Sequence, residues 1–134
     1  KVKGKPNIAI VAFTTDGDVF GGFYSVAVTG QWDEFYDPNL FIFSFESHGR
    51  CMTPQRFVVK NEGRGTEFVQ FFHDNAHGWC VIFAGGWGGR IYLGNERSDT
   101  NCFFLSWHFE GIEDDTLTGA PDFICTRIVA LQLA

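Results

Sequence analysis

The sequence predicts an all-β domain, or a β-rich domain with a minor helix, made of antiparallel strands. The 134 residues include 16 Phe and 16 Gly, and 17% of the chain is aromatic. Large rings separated by frequent Gly suit short strands and tight turns better than helices. Apolar residues also recur with a period of two along most of the chain, which is the pattern of half-buried strands. Both observations favour the same class.

The first half of the chain contains four predicted strands, at residues 8–13, 19–29, 40–46 and 55–60. The first is a continuous apolar run, typical of a strand buried on both faces. Asp16-Gly17 predicts a hairpin turn after it, because Gly accepts a positive φ without steric cost. Gly21 and Gly22 interrupt the return strand and indicate a bulge or a close approach of two backbones. Residues 31–39 are predicted to form a polar and aromatic loop.

The second half contains predicted strands at residues 68–72, 79–84, 90–93 and 101–109, followed by an acidic loop at 110–121. In the segment 101–109, alternation places Phe103, Leu105, Trp107 and Phe109 on one face. Residues 123–133 fit both a helix and a strand, and their β-branched residues favour the strand. Roughly eight or nine strands with regular turns indicate a sandwich or a barrel.

Charge and hydropathy exclude several classes of protein. The net charge of −6 and a pI near 5.0 argue against a nucleic-acid binder, which needs a positive patch. No apolar run approaches the ~18–20 residues that a spanning helix requires, so we expect no membrane insertion. Neither a linker nor an internal repeat interrupts the sequence. Residues 1–134 are therefore predicted to form a single domain.

The four cysteines, Cys51, Cys80, Cys102 and Cys125, are more than twenty residues apart and form no Cys-x-x-Cys pair. This spacing excludes a zinc ribbon and a thioredoxin-type redox motif. Buried free thiols are the favoured interpretation, and two disulfides with three connectivities stay open. The sequence has no secretory leader and no Asn-x-Ser/Thr sequon, so we expect an intracellular, reducing location. Cys51 is the least embedded in apolar sequence, which makes it the candidate redox residue.

Three motifs resemble metal or nucleotide sites without meeting their requirements. His73 and His77 have the spacing of helix-borne zinc ligands, but their flanks are strand-like and the spacing loses its geometric meaning. The Gly-rich run 85–89 follows a strand, yet another strand follows it where a phosphate loop needs a helix. The acidic stretch 113–115 fits no calcium-loop pattern. We therefore predict neither a metal nor a cofactor.

The sequence contains no Gly-x-Ser-x-Gly motif and no thiol-protease signature, so no catalytic residue is predicted. Aromatic residues anchor protein interfaces, so Trp87 on its glycine loop is a candidate contact residue, with packing back over the core as the slightly favoured alternative. The candidate interaction residues are Trp32, Trp87, Arg90 and Tyr92.

The order of the aromatic motifs resembles the TLDc domain of oxidation-resistance proteins. Residues 16–23 are similar to its "D-G-x-V-F-G-G-F" hairpin, and residues 40–45 to its aromatic "F-L-F-S-L" strand. Residues 89–95, the Asn101-Cys102 pair and residues 123–133 follow its closing order of strands. The chain is divergent, with residues 1–7 standing where the family carries helical sequence. The resemblance covers residues 8–133.

The resemblance implies a two-sheet antiparallel β-sandwich, a role in resistance to oxidative stress, and binding to the vacuolar proton pump. It implies no settled catalytic mechanism. Our first hypothesis is therefore a non-enzymatic protein-interaction domain with a protein partner. One alternative is a carbohydrate- or small-ligand-binding sandwich that uses exposed aromatic rings. The other alternative is a thiol-based antioxidant centred on Cys51.

Overall fold

The computed structural model describes residues 2–61, 65–72, 79–85, 89–94 and 100–134, and it confirms a two-sheet antiparallel β-sandwich. One sheet has five strands in the order β11-β1-β2-β4-β5, and the other has six in the order β10-β9-β8-β7-β6-β3. The elements are β1 (Ile8–Thr14), β2 (Val19–Tyr24), β3 (Phe35–Tyr36), β4 (Phe41–Glu46), β5 (Gln55–Val58), β6 (Phe68–Phe71), β7 (Trp79–Ala84), β8 (Arg90–Gly94), β9 (Thr100–Phe103), α1 (Leu105–His108), β10 (Asp122–Phe123) and β11 (Cys125–Gln132).

The core lies between the two sheets and is built from large side chains of both. Phe20, Tyr24 and Phe57 contribute from the five-stranded sheet, and Phe83 and Leu93 contribute from the six-stranded sheet. All five are essentially inaccessible to solvent. The excess of aromatic residues in the composition is thus partly explained by this interior.

Strand β1 is buried on both faces, as its continuous apolar run predicts. It pairs with β2 on one side and with β11 on the other, so that Ile8 lies opposite both Tyr24 and Gln132. Ile8 and Ile10 point into the core, while Ala9 and Val11 point to the outer face of the sheet. Successive side chains of a strand alternate between faces, so both faces of this sheet are apolar around β1.

The close approach of two backbones that the β2 glycines predict lies at Gly21, where a Cβ would clash with the Ile10 carbonyl oxygen. A Cβ on Gly22 would lie 2.5 Å from the Phe83 ring of the opposite sheet. The strand ends at Tyr24 rather than at residue 29. Residues 31–39, predicted as loop throughout, include the two-residue strand β3, which pairs with β6 at the edge of the six-stranded sheet.

The predicted strand 101–109 is wrong in its second half. Strand β9 ends at Phe103, Phe104 adopts a left-handed conformation with φ 46°, and α1 follows. In a helical turn, residues four apart share a side. Leu105 and Phe109 therefore both reach the core, while Trp107 is 60% exposed instead of sharing their face. The short helix breaks the alternation that the sequence pattern suggested.

The ambiguous C-terminal segment is a strand, β11, as its β-branched residues predict. It is an edge strand, and much of its surface is exposed. No helix in the described part of the chain combines the length and the apolarity that crossing a membrane requires.

Candidate interaction surface

The outer face of the five-stranded sheet carries an open apolar groove. Its floor is formed by Ala9 and Val11 of β1, whose inward neighbours fill the core. The groove has a volume of about 310 Å³. Its floor follows directly from the sequence, because a strand that is apolar at every position leaves small apolar side chains on both sides of the sheet.

One wall of the groove is a row of four phenylalanine rings, Phe23, Phe41, Phe43 and Phe45. Phe23 stacks on Phe41 with centroids 4.9 Å apart, and Phe43 lies 4.8 Å from Phe45. Phe41 and Phe43 are joined by an edge contact at 6.4 Å. Gly21 gives this row its room, because a Cβ there would lie 2.9 Å from Phe43 Cζ. Phe45, at the end of the row, is 50% exposed.

The opposite wall is formed by Leu131 and Leu133, on and just beyond the edge strand β11. Each is 48% exposed. The register places Leu131 beside Ala9, so the leucines border the floor directly. The Phe row and the two leucines therefore flank the smaller side chains of Ala9 and Val11.

Two arginines lie at the borders of this face. Arg56 of edge strand β5 places its guanidinium 5.6 Å from the centre of the Phe41 ring. Arg127 of the opposite edge strand lies 5.6 Å from the centre of the Phe13 ring. Among the described residues that line the groove, Arg56 is the one charged side chain. The groove is thus apolar with positive charge at its edges, although the chain as a whole carries −6.

The residues that the sequence offered as interaction candidates lie on the other side of the sandwich. Arg90 and Tyr92 occupy strand β8, and the Arg90 guanidinium lies 5.6 Å from the Phe68 ring centre and donates to the Tyr92 hydroxyl at 3.1 Å. Trp32 packs edge-on against Phe72, 5.1 Å between centroids. Trp87 lies outside the described residues.

These three candidates border the same small cluster on the outer face of the six-stranded sheet. Its buried members are Phe68, Ile82 and Ala84, with Phe72 and Tyr92 packed against them. The backbone carbonyl of Trp32 accepts a hydrogen bond from the Gln70 amide at 2.6 Å. The three described candidates are therefore neighbours on this face, and Trp32 is 42% exposed there.

The groove itself was not identified from the sequence. Alternation along β4 separates Phe41, Phe43 and Phe45 from Ile42 and Ser44, and both sets are compatible with a core. The structure buries Ile42 and Ser44 completely and turns the Phe row outward. Ser44 was the one indication in the sequence of which face points inward. It pairs with Phe20, and a Phe at position 44 would be crowded against the Phe20 ring.

The candidate redox residue, Cys51, lies in the loop before β5 and is half-buried. Its amide donates to Ser47 Oγ at 3.0 Å, and its Sγ lies 3.4 Å from the same oxygen. Cys51 is a free thiol, and Cys125 is buried. The side chains of Cys80 and Cys102 lie outside the described part of the chain.

A buried polar cluster joins the first hairpin to the acidic loop. The Asp18 carboxylate, in a residue 1% exposed, accepts from Arg50 Nη2 and lies 2.8 Å from His48 Nδ1. Arg50 also donates to the carbonyls of Thr116 and Leu117, at 2.9 and 3.1 Å. The sequence placed Asp18 in a turn and gave no sign of these partners, because Arg50 lies 32 positions after Asp18 and 66 and 67 positions before Thr116 and Leu117.

The other motifs do not come together as binding sites where they can be described. Among the described residues, no three His, Cys, Asp or Glu side chains converge in the way a metal ion requires. His73 and His77, and the middle of the run 85–89, lie outside them. In the acidic stretch, Asp114 accepts hydrogen bonds from the amide and hydroxyl of Ser106, at 2.9 and 2.7 Å, and so holds the start of α1.

Comparison with known proteins finds neither a family model nor a curated protein that matches the chain. The resemblance to the TLDc domain therefore stays a prediction from the sequence motifs.

Proposed function

We propose that this chain is a non-enzymatic protein-interaction domain and that the apolar groove of the five-stranded sheet is its binding surface. The observation that carries the proposal is the groove itself, whose walls hold exposed Phe45, Leu131 and Leu133. Contiguous apolar surface rimmed by polar residues is characteristic of interaction sites, whereas scattered exposed apolar residues are ordinary. Here the apolar residues are contiguous across the sheet.

The composition of the surface supports a protein partner rather than a sugar or a reactive small molecule. Interfaces between proteins are enriched in Phe and Arg at the expense of Lys and carboxylates. The groove combines four Phe with Arg56. Sugar recognition, by contrast, needs several convergent polar groups besides an aromatic platform, and the lining residues are almost all apolar.

The motif resemblance supports the same class of function. It adds the vacuolar proton pump as a candidate partner and resistance to oxidative stress as a candidate process. Both belong to the proposal and do not depend on the groove's geometry.

Site-specific photo-cross-linking tests the proposal. Benzoylphenylalanine is placed at position 45 in the groove and, as the matched control, at position 107, where Trp107 is also an exposed aromatic residue but lies outside the groove. We expect a discrete cross-linked protein from position 45 and none of the same mass from position 107. Once identified, that protein is purified and should bind the isolated domain.

A second set of variants ties the binding to the groove. Leu131→Asp introduces a charge on the exposed wall, and Leu133→Gln introduces a neutral polar group there should the first variant fail to fold. Either is expected to abolish the cross-link while its melting temperature stays close to that of the parent. Equal cross-linking from both positions, no cross-link from position 45, or persistence in the folded wall variants would each overturn the proposal.

A further inference from the structure

We propose that the occupant of the groove is an amphipathic helix with acidic residues along the border of its apolar face. This inference rests on the proposed function, because it names the partner of the same surface. It is argued from the width of the groove and from the charges that flank it.

The width of the groove fits a helix. The Phe wall stands on β4 and, at Phe23, on β2, while the leucine wall stands on and just beyond β11. With strand spacings of ~4.8 Å, the backbones of β4 and β11 are ~14 Å apart and those of β2 and β11 are ~10 Å apart, so the groove is widest beside β4. A helix with its side chains is ~10–12 Å in diameter. Its apolar ridge can then lie over Ala9 and Val11, with the Phe row on one side and the leucines on the other.

The positive charges of Arg56 and Arg127 at the edges of the sheet favour a helix with acidic residues along the border of its apolar face. Arg56 and Arg127 stand on opposite edge strands of the sheet, and neither guanidinium is ion-paired among the described residues. Both rest on phenylalanine rings, which fixes their heads beside the apolar surface. Glutamate or aspartate flanking an apolar helix face would meet these groups, and charge complementarity of this kind sets specificity.

The same charges disfavour a second copy of the chain as the occupant. In a two-fold dimer the same patch faces itself. Two such faces would bring arginines together, and the described groove-lining residues include no carboxylate to pair with them. Like charges placed together across an interface oppose association.

Synthetic peptides test the inference with the intact domain. Three labelled peptides of ~18 residues share one apolar Leu and Phe face at helical spacing. The first has Glu along both borders, the second has Lys there, and the third is the Glu peptide with a central Pro that breaks the helix. Fluorescence anisotropy is read at low and high salt. We expect the Glu peptide to bind at least about tenfold more tightly than the other two, with the difference from the Lys peptide shrinking at high salt.

Charge-reversal variants provide the matched control. Arg56→Glu and Arg127→Glu, alone or together, should lower affinity for the Glu peptide and raise it for the Lys peptide. Lys3→Glu changes the net charge by the same amount as either single variant but lies beside Phe71 and Phe72, away from the groove, and should leave both affinities unchanged.

The outcomes separate this inference from the proposed function. Equal binding of the Glu and Lys peptides, tighter binding of the Pro peptide, or reversible dimerisation abolished by Leu131→Asp would overturn the acidic helix as occupant. So would an absence of peptide binding in a protein that still gives the groove-specific cross-link, which leaves the interaction function standing. Absence of any cross-link from position 45 in the otherwise unchanged protein would overturn the interaction function.

Discussion

Arg50 holds the buried carboxylate of Asp18 and, through the same guanidinium, the carbonyls of Thr116 and Leu117. One side chain thus fastens the β1–β2 hairpin to the loop that precedes β10. Gly119 leaves space for it, because a Cβ there would lie 3.2 Å from Arg50 Nη1. The loop that the sequence describes only as acidic is therefore anchored from within the fold.

We expect Asp18→Ala to lower the free energy of unfolding by about 3–5 kcal/mol, because it leaves the Arg50 charge without its buried partner. Asp16→Ala is the matched control, since Asp16 is an exposed turn residue two positions away, and it should change stability by less than about 0.5 kcal/mol. Urea denaturation followed by tryptophan fluorescence measures both. Equal effects of the two substitutions would contradict a structural role for the Asp18–Arg50 pair.

Tyr24→Phe is expected to leave stability unchanged or to raise it by up to about 1 kcal/mol. The Tyr24 hydroxyl is buried and has no hydrogen-bond partner among the residues that the structure describes, and burial raises the pKa of this phenol to about 12. The ring contacts with Phe71 and Phe83 survive the change. Thermal unfolding is the measurement, and a clear drop in melting temperature would show that the hydroxyl has a stabilising partner.

Acidification is expected to destabilise the fold through His108. Burial, and then the positive charge of Lys60, lower the pKa of His108 below its ordinary value of 6.5. The unfolded chain therefore binds this proton more readily than the native state, and the free energy of unfolding falls as pH drops below about 6.5. His108 Nδ1 also accepts a hydrogen bond from the Gly89 amide at 2.9 Å, which a proton on that nitrogen would break.

His108→Asn tests this, because the Asn carbonyl can replace Nδ1 as an acceptor and does not titrate. Urea midpoints are compared between pH 7.5 and 5.5. The parent should lose more stability over this interval than the variant does. An identical pH dependence in both proteins would exclude His108 as the source.

Gly22→Ala is expected to destabilise the sandwich by about 1–3 kcal/mol, the usual effect of overpacking a core. The added methyl would lie 2.5 Å from the Phe83 ring, so one of the two sheets has to move. Phe83→Leu replaces that ring with a smaller side chain and so makes room for the added methyl. The double variant should therefore lose less stability than the sum of the single variants, and simple additivity would argue against a direct clash.

Cys51→Ser should leave the rate of peroxide consumption unchanged. Its thiol lies against the neutral hydroxyl of Ser47, whereas reactive thiols are activated by nearby positive charge. The assay compares parent and variant at equal concentration. A clear fall in rate for Cys51→Ser would restore the thiol-antioxidant hypothesis.

The strands were largely predictable because alternation is a local property. Neighbouring residues alone predict the Asp16-Gly17 turn, where Gly17 has φ 86°. They also predict that β1 is buried on both faces. The helix Leu105–His108 was not predictable, because it depends on a left-handed backbone conformation at Phe104 that no residue propensity favours. Alternation also cannot decide which face of a strand points inward when both faces are apolar.

The candidate surface was harder to predict for the same reason. Its floor and its leucine wall come from β1 and β11, strands at opposite ends of the sequence, and its arginines come from two edge strands that do not touch. Each residue looks like ordinary core or surface by itself. The groove becomes visible after the register of all five strands is known.

We expect the pairing of Ile8 with Gln132 to form late in folding and the groove to be completed with it. Closing the longest loop in the chain costs the most entropy and contributes to slow folding. Until β11 has docked on β1, the floor exists without its leucine wall. A partner that needs both would therefore recognise only chains that have folded to completion, and by holding β11 in place it would protect that strand from fraying and from proteases.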